Sequence, residues 1–345
     1  MRILVTGVAG HIGSHLARAF LSQEHTVIGI DDLSGGELAN VPFDHIRSRE
    51  RLKFFQTDLA NYPATEEIFQ QSRPHIVYHC AANAREAASY FDPYRIVRQN
   101  GYISSIVFEL AIKHGTEKIV YCSSMATFGD LKRLPFQENA RRVPVDVYGE
   151  MKIATEHMLE MLSAAHGMKY TILLPHNVFG PTQSLRDPFR NLVTIQCNRI
   201  MRGEPLYLYG GGKSIRSFSY IEDCLPALVK AAQLDTANGE RINIGGKMPI
   251  PVKHMTEKIV SCFPEYKVPE MVELPPRYGE VLEAYSSYEK SEQLLGYKEL
   301  IGWEKGVEIT AEWAKKKGPQ EWREDKLAIP NESIPLPWKI QQERK

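Results

Sequence analysis

The sequence predicts an α/β fold: a doubly wound, mostly parallel sheet in the first half of the chain and a smaller C-terminal α/β unit after it. Three observations point there. Short apolar runs rich in Val, Ile and aromatic residues recur at 3–6, 26–30, 53–57, 75–81, 118–123 and 171–175, each closed by polar or glycine turns. Stretches with apolar residues at helical spacing lie between them. A glycine-rich turn joins the first run to the first helical stretch. Strands that alternate with helices are joined by crossovers, and crossovers make parallel neighbours.

In chain order, the strand at 3–6 leads straight into Gly7-Val8-Ala9-Gly10-His11-Ile12-Gly13, and Ile12, Leu16 and Phe20 share one face of the following helix. The strand at 26–30 ends in Asp31-Asp32, and the strand at 53–57 runs into Asp58-Leu59. Long helical patterns cover 97–114 and 148–166. The second half is less regular. Residues 188–202, 224–234 and 306–317 read as helices, 206–209 and 241–244 as strands, and Gly210-Gly211-Gly212 as a turn. Pro226 is placed near a helix start, where proline is tolerated. Beyond Pro319 the chain is polar and proline-dotted, which predicts an irregular tail held to the surface by Trp322 and Trp338. The organisation expected is 1–176 as one domain with 217–246 contributing, 177–216 with 247–318 as a second, and 319–345 as the tail.

Composition narrows the function classes. The chain has 345 residues, 43% of them hydrophobic, which suffices for a large core. Lys and Arg number 42 and Asp and Glu 42, so no net field favours nucleic acid. The five cysteines are scattered and form no CxxC pair, which predicts reduced thiols, no metal site and a cytoplasmic location. No apolar run reaches the length of a membrane span, and no leader pattern precedes the first strand.

Gly7, Gly10 and Gly13 sit three apart at the strand-to-helix junction. One glycine permits the tight turn, one lets the backbone approach a pyrophosphate, and one allows close packing of helix on sheet. The helix N-terminus offers amides and a positive dipole end to phosphate. The pattern alone also fits an ordinary turn. Asp31-Asp32, about 20 residues on, adds the acid that meets ribose hydroxyls in Rossmann-like dinucleotide sites. A carboxylate there repels a 2′-phosphate, so NAD is expected rather than NADP. Asp31 is the better candidate, since Asp32 also fits as a loop cap. Asp58 fits equally as a contact to adenine or as a helix cap.

Tyr148 and Lys152 are four apart at a helix start and share a face. Tyrosine ionises near pH ~10, and an adjacent ammonium lowers that value. Such a phenol is suited to take the proton of a sugar hydroxyl as hydride leaves the same carbon. Ser124 follows a strand, at the sheet edge where ligands bind. A Tyr-x-x-x-Lys pair by itself is more often a surface pair. His11 and His15 are i,i+4 but lack a metalloprotease pattern.

Taken together, residues 6–13, His79-Cys80-Ala81-Ala82, Ser123-Ser124 with Phe128-Gly129, Tyr148-Gly149-Glu150-Met151-Lys152, Asn177-Val178-Phe179-Gly180-Pro181 and Arg216-Ser217-Phe218 resemble the extended short-chain dehydrogenase/reductase family. The likeness is to its nucleotide-sugar epimerase/dehydratase branch, UDP-glucose 4-epimerases above all, and runs to about Trp313. The resemblance implies Tyr148 as acid/base, Lys152 as the group that tunes it and holds the nicotinamide ribose, and Ser124 on the reacting hydroxyl. It implies NAD contacts from Gly7, Gly10, His11, Ile12, Gly13, Asp31, Asp32, Asp58, Leu59, Ala81, Ala82, Ser123, Tyr148 and Lys152, with Asn100 ordering the nearby loops. It implies substrate contacts from Arg85, Ser124, Met125, Asn177, Asn191, Arg216 and Arg277, the two last clamping a diphosphate. It also implies a homodimer packed through the helices at 97–114 and 148–166.

All reactions of that branch begin by oxidising C4 to a ketone. Dehydratases carry Asp-Glu directly after the catalytic hydroxyl residue, and decarboxylases carry the glutamate. Met125 and Ala126 stand there here. Return of hydride to the other face, a 4-epimerisation, is therefore the expected outcome. Arg85 and Glu86 keep a UDP-glucuronate epimerase open. Cys122 or Glu86 keeps an atypical dehydratase open, although Cys122 also fits as a buried apolar residue. A non-catalytic NAD-binding sensor or scaffold is the reading from another class.

Overall fold

Burial on both faces explains why the strand sequences read as continuous apolar runs rather than alternating ones. The computed structural model describes residues 1–189, 192–324, 326–329, 332 and 334–343. Its main sheet contains β1 (Arg2–Thr6), β2 (Thr26–Asp31), β3 (Leu52–Gln56), β4 (Ile76–His79), β5 (Lys118–Cys122), β6 (Lys169–Pro175) and an edge strand, Glu240–Ile244. The spatial order is Glu240–Ile244, β6, β5, β4, β1, β2, β3, and every pairing is parallel. The order reverses between β1 and β4, so the loops after these strands diverge and open a crevice at the carboxyl edge.

The side-chain period of two splits the core. Ile3, Val5, Tyr78 and Val120 face one layer with Leu16 and Phe20 of the helix His11–Ser22 and Leu228 of the helix Ile221–Gln233. Leu4, Val77, Ile119 and Tyr121 face the other, with Val107 of the helix Ile103–Lys113 and Leu159 of the helix Val147–His166. The edge strand enters from the far side of the chain through the register Ile242↔Leu173. The later segments add three small sheets, in which Leu206–Tyr209 pairs Met271–Leu274, Val178–Phe179 pairs Ser219–Tyr220, and Ile215–Ser217 pairs both Pro249–Pro251 and Glu283–Ala284.

Three expectations are corrected. The pattern at 97–114 is not one uniform helix: a π-helical turn, Val97–Tyr102, separates Pro93–Ile96 from Ile103–Lys113. The helix expected at 224–234 starts earlier, at Ile221, so Pro226 lies inside it. Glu222 and Asp223 in its first turn suit the positive end of the helix dipole. The tail is not wholly irregular, because Leu336–Glu343 is helical. Trp338, 3% exposed, anchors it edge-on to Phe189 at 5.2 Å.

Candidate functional site

The glycine turn is sterically fixed. Gly7 has φ +71°, and a Cβ at Gly13 would lie 2.2 Å from the Gly7 carbonyl oxygen. Helix His11–Ser22 begins at Gly10 with no side chain capping it, so the first-turn amides are left for a ligand. Asp31, at the end of β2, accepts the Ala9 amide at 2.9 Å and the Leu33 amide at 2.8 Å. Burial raises its pKa, and these two amides oppose the rise. Asp32 accepts the Ser34 amide at 2.8 Å. Asp58 meets Arg98 at 2.5 Å; burial works against its charge, and this guanidinium nevertheless holds its pKa below the ordinary value. His11 and His15 both bond the Pro181 carbonyl, at 3.1 Å each, tying the first helix to the 181–182 loop.

Across the crevice stand the ends of β4, β5 and the helix Val147–His166. Asp146 caps that helix, accepting the Gly149 amide at 2.7 Å. This fixes Tyr148 in the first turn, 4% exposed, and Lys152 one turn on, 2% exposed. Lys152 Nζ lies 5.7 Å from the Tyr148 ring centroid and donates to the Cys122 carbonyl at 2.8 Å. Burial lowers the Lys152 pKa from 10.5 to about 8. Ser124 Oγ accepts the Ala126 amide at 3.1 Å. Ser123 Oγ donates to Glu156. The thiols of Cys80 and Cys122 are 3.3 Å apart beside Lys152.

These groups line one cleft of about 340 Å³. Gly7, Gly10, His11, Ile12, Gly13, Asp31, Asp32, Asp58, Leu59, Ala81, Ala82, Ser123, Ser124, Tyr148 and Lys152 all border it. An uncapped helix start, an acid at the end of β2 and an apolar floor of alanines fit a dinucleotide. Asn100 borders no part of it; its amide donates to the carbonyls of Asn83 at 3.2 Å and Ile96 at 2.9 Å. Its buried Oδ1 has no hydrogen-bond partner among the described residues.

A second cleft of about 330 Å³ adjoins the first. Arg216 and Arg277 line it, with Tyr209, Phe218, Asp146 and Glu280. Arg277 lies over the Tyr209 ring at 4.6 Å and donates to Glu280 at 2.8 Å. Arg216 donates to the carbonyls of Val281 at 2.6 Å and Ile215 at 2.8 Å. The two clefts share Ala84, Glu86, Met125, Asn177, Val178 and Gln183. Asn177 is held at φ 40° by donation to the Ser217 carbonyl at 2.8 Å. Arg85 borders the first cleft, but its guanidinium pairs with buried Asp187 at 3.2 Å and covers the Phe189 ring at 4.8 Å. Asn191 lies outside the described residues.

Sequence reasoning missed Asp146, Tyr209, Phe218, Gln183 and Glu280 as wall residues. Asp146 carried a local signal, an acidic N-cap two residues before Tyr148, and Phe218 stood in the Arg216-Ser217-Phe218 motif with no role assigned to it. Among the described residues, no three His, Cys, Asp or Glu side chains gather as metal ligands, and no helix is long and apolar enough to cross a membrane.

Residues 3–245 match the model of the NAD dependent epimerase/dehydratase family. The UDP-glucose 4-epimerase of Mycolicibacterium smegmatis is 27% identical over 320 residues, covering 92% of this chain and 99% of that protein. The crystal structure of UDP-glucose 4-epimerase with UDP-glucose from Thermotoga maritima is 31% identical, with a TM-score of 0.83 and coverage of 92% of this chain and 99% of that one. The UDP-glucuronic acid 4-epimerase of Bacillus cereus, in complex with UDP-glucuronic acid and NAD, is 28% identical, with a TM-score of 0.81 and coverage of 92% and 100%.

Proposed function

Because the chain belongs to the NAD dependent epimerase/dehydratase family, we infer that it is a nucleotide-sugar 4-epimerase acting on a UDP-hexose. The observation that carries this reading is the meeting of two clefts, one that fits a dinucleotide and holds Ser124 and Tyr148 and one lined by Arg216 and Arg277, along a shared rim that includes Glu86, Met125 and Asn177.

NAD is held by the Gly7–Gly13 turn at its pyrophosphate and by Asp31 at its ribose, and the carboxylate of Asp31 turns away a 2′-phosphate. When bound, the nicotinamide supplies acceptance and return of a hydride, so the reaction has no net redox change. Tyr148, as phenolate, takes the proton from the C4 hydroxyl and later gives it back. Lys152, with a pKa of about 8, keeps its charge at pH 7 by roughly tenfold. That cation beside the phenol ring favours phenolate. Ser124 holds the C4 oxygen in line. Arg216 and Arg277 take the diphosphate, and Asn177 lies between diphosphate and sugar. Met125 and Ala126 supply no acid or base for loss of water. The chain is further proposed to work in the cytoplasm as a homodimer packed through the helical segments at 97–114 and 148–166. Sedimentation as a monomer would refute that pairing.

Incubation with UDP-glucose, UDP-N-acetylglucosamine and UDP-glucuronate, followed by NMR of the product sugar, tests the reading. Inversion at C4 is expected, and Tyr148→Phe is expected to retain NAD while losing about 10²-fold or more of turnover. Loss of water or carbon dioxide, or inertness toward every nucleotide sugar with NAD bound, would overturn it.

A further inference from the structure

Glu86 is the carboxylate of this wall that the mechanism does not use. It stands on the rim shared by both clefts, where the sugar ring has to lie between the arginines and Tyr148. The residue is exposed on that rim, so a ligand spanning the two clefts can reach it. Among the described residues its carboxylate has no hydrogen-bond or ion-pair partner. The other acids of the wall are committed. Asp146 caps the catalytic helix. Glu280 receives Arg277 at 2.8 Å and stands 3.6 Å from Arg216. An exposed acid without a protein partner is free to accept hydrogen bonds from a ligand lying against the rim.

The surrounding charges decide which ligand. The negative charge of Asp146 and the positive charges of Arg216 and Arg277 act on Glu86 in opposite senses. Those two arginines are needed by the diphosphate. Arg85, the adjacent residue in sequence, is engaged by Asp187 and Phe189. A sugar carboxylate entering this space would meet Glu86 and Asp146 with no uncommitted cation among these groups. Hydroxyl groups of a neutral hexose meet an acceptor.

We propose that Glu86 is a specificity-determining residue that accepts hydrogen bonds from the sugar hydroxyls and excludes uronates, so that the substrate is a nucleotide-linked neutral hexose or N-acetylhexosamine. The proposal rests on the 4-epimerase reading and narrows it. The fold leaves the choice open, since enzymes named for UDP-glucose and for UDP-glucuronic acid are both similar to this chain with TM-scores above 0.8.

The test compares kcat/KM for UDP-glucose, UDP-N-acetylglucosamine and UDP-glucuronate in the wild-type protein, Glu86→Gln and Glu86→Asp, by product NMR, with retained NAD and thermal midpoint measured on each. The wild-type protein is expected to favour at least one neutral sugar over the uronate by roughly tenfold or more. Glu86→Gln removes the charge and keeps the shape. It should cut that preference about tenfold, mainly by lowering KM for the uronate, while neutral-sugar kcat falls less than that. Glu86→Asp keeps the charge and should keep the preference, which separates selection from a folding defect. A wild-type preference for UDP-glucuronate overturns the proposal and leaves the 4-epimerase reading standing. So does an unchanged ratio in Glu86→Gln, or loss of neutral-sugar turnover with NAD retained, which would make Glu86 a catalytic acid/base. Inertness of the wild-type protein toward all three sugars overturns the 4-epimerase reading, and the proposal falls with it.

Discussion

Replacing Lys152 with methionine separates what this side chain does for the fold from what it does for the chemistry. Lys152 is 2% exposed, and burial lowers its pKa from 10.5 to about 8. Holding that charge inside the protein at neutral pH therefore costs about 3 kcal/mol. The substitution removes this cost. It also strips the Cys122 carbonyl of the donor that now sits at 2.8 Å. A buried carbonyl left alone costs about 1–3 kcal/mol. Methionine nearly matches the volume, so packing adds little. The cofactor-free variant should thus be about 1 kcal/mol more stable than the wild-type protein at pH 7. The pH dependence is the sharper signature. The unfolded chain keeps the lysine proton up to pH 10.5, whereas the folded chain keeps it only to about 8. Between those values the unfolded state binds more protons, so wild-type stability rises with pH. The advantage of the variant should be full below pH 8, shrink across the interval, and reverse near 10.5, where neutral lysine still donates to Cys122. Urea denaturation of both proteins from pH 7 to 10.5 measures this, and turnover of UDP-glucose should fall in parallel by about 10²-fold. A stability difference that stays constant over the range would refute the reasoning.

Gly13→Ala forces a methyl to within 2.2 Å of the Gly7 carbonyl oxygen. It should lower the thermal midpoint, with a loss of about 1–3 kcal/mol, and release NAD; a variant that purifies with NAD at the wild-type level contradicts this. Asp31→Ala removes the acceptor of the Ala9 and Leu33 amides as well as the charge facing the ribose. NAD affinity should drop and the preference for NAD over NADP should shrink by roughly tenfold, read by fluorescence titration with each dinucleotide. His79 and His176 are buried neutral with pKa values pushed by burial down to about 3. The unfolded chain protonates both from about 6.5 downward, so stability should be intact above that pH and lost progressively as pH falls toward 3. His176→Gln should flatten the acid limb of a urea-midpoint profile, and an unaltered limb would assign the acid loss elsewhere.

What was legible in the sequence is what depends on neighbours along the chain. The three glycines lie within one turn of each other, Asp31 ends the very next strand, and Tyr148 and Lys152 are one helical turn apart, so each of these groups carried a local signal and the strand order of the sheet brings them into the first cleft. The capping role of Asp146 was legible by the same rule and went unread. The partners that decide charge were not legible. Arg85 pairs with Asp187 across 102 residues, and only the folded chain shows that the cation next to Glu86 is occupied. Glu86 takes its environment from Asp146, Arg216, Arg277 and Glu280, which reach it from three later segments. Cys80 and Cys122 lie between these cases. The register His79↔Tyr121 makes the next residues neighbours, so knowing that β4 and β5 pair would have placed the two thiols side by side. The tail helix Leu336–Glu343 is too short to display a period, and tertiary contacts through Trp338 hold it instead.

This division by distance along the chain also divides the function. Ser124, Tyr148 and Lys152 stand on strand ends and a capped helix, each 8% exposed or less and each tied to nearby backbone or rings. Groups held that way keep their geometry whatever occupies the second cleft, so they set the reaction class. Tyr209, Arg216 and Arg277 of the second cleft come from later loops and short strands, whose residues can change without disturbing the main sheet. A family likeness through residues 3–245 therefore bears strongly on hydride and proton transfer and weakly on the sugar. The sugar is decided where the two sets of walls meet, and Glu86 is the unpartnered carboxylate at that boundary. Changing it should move substrate preference while the thermal midpoint and NAD retention stay near their wild-type values.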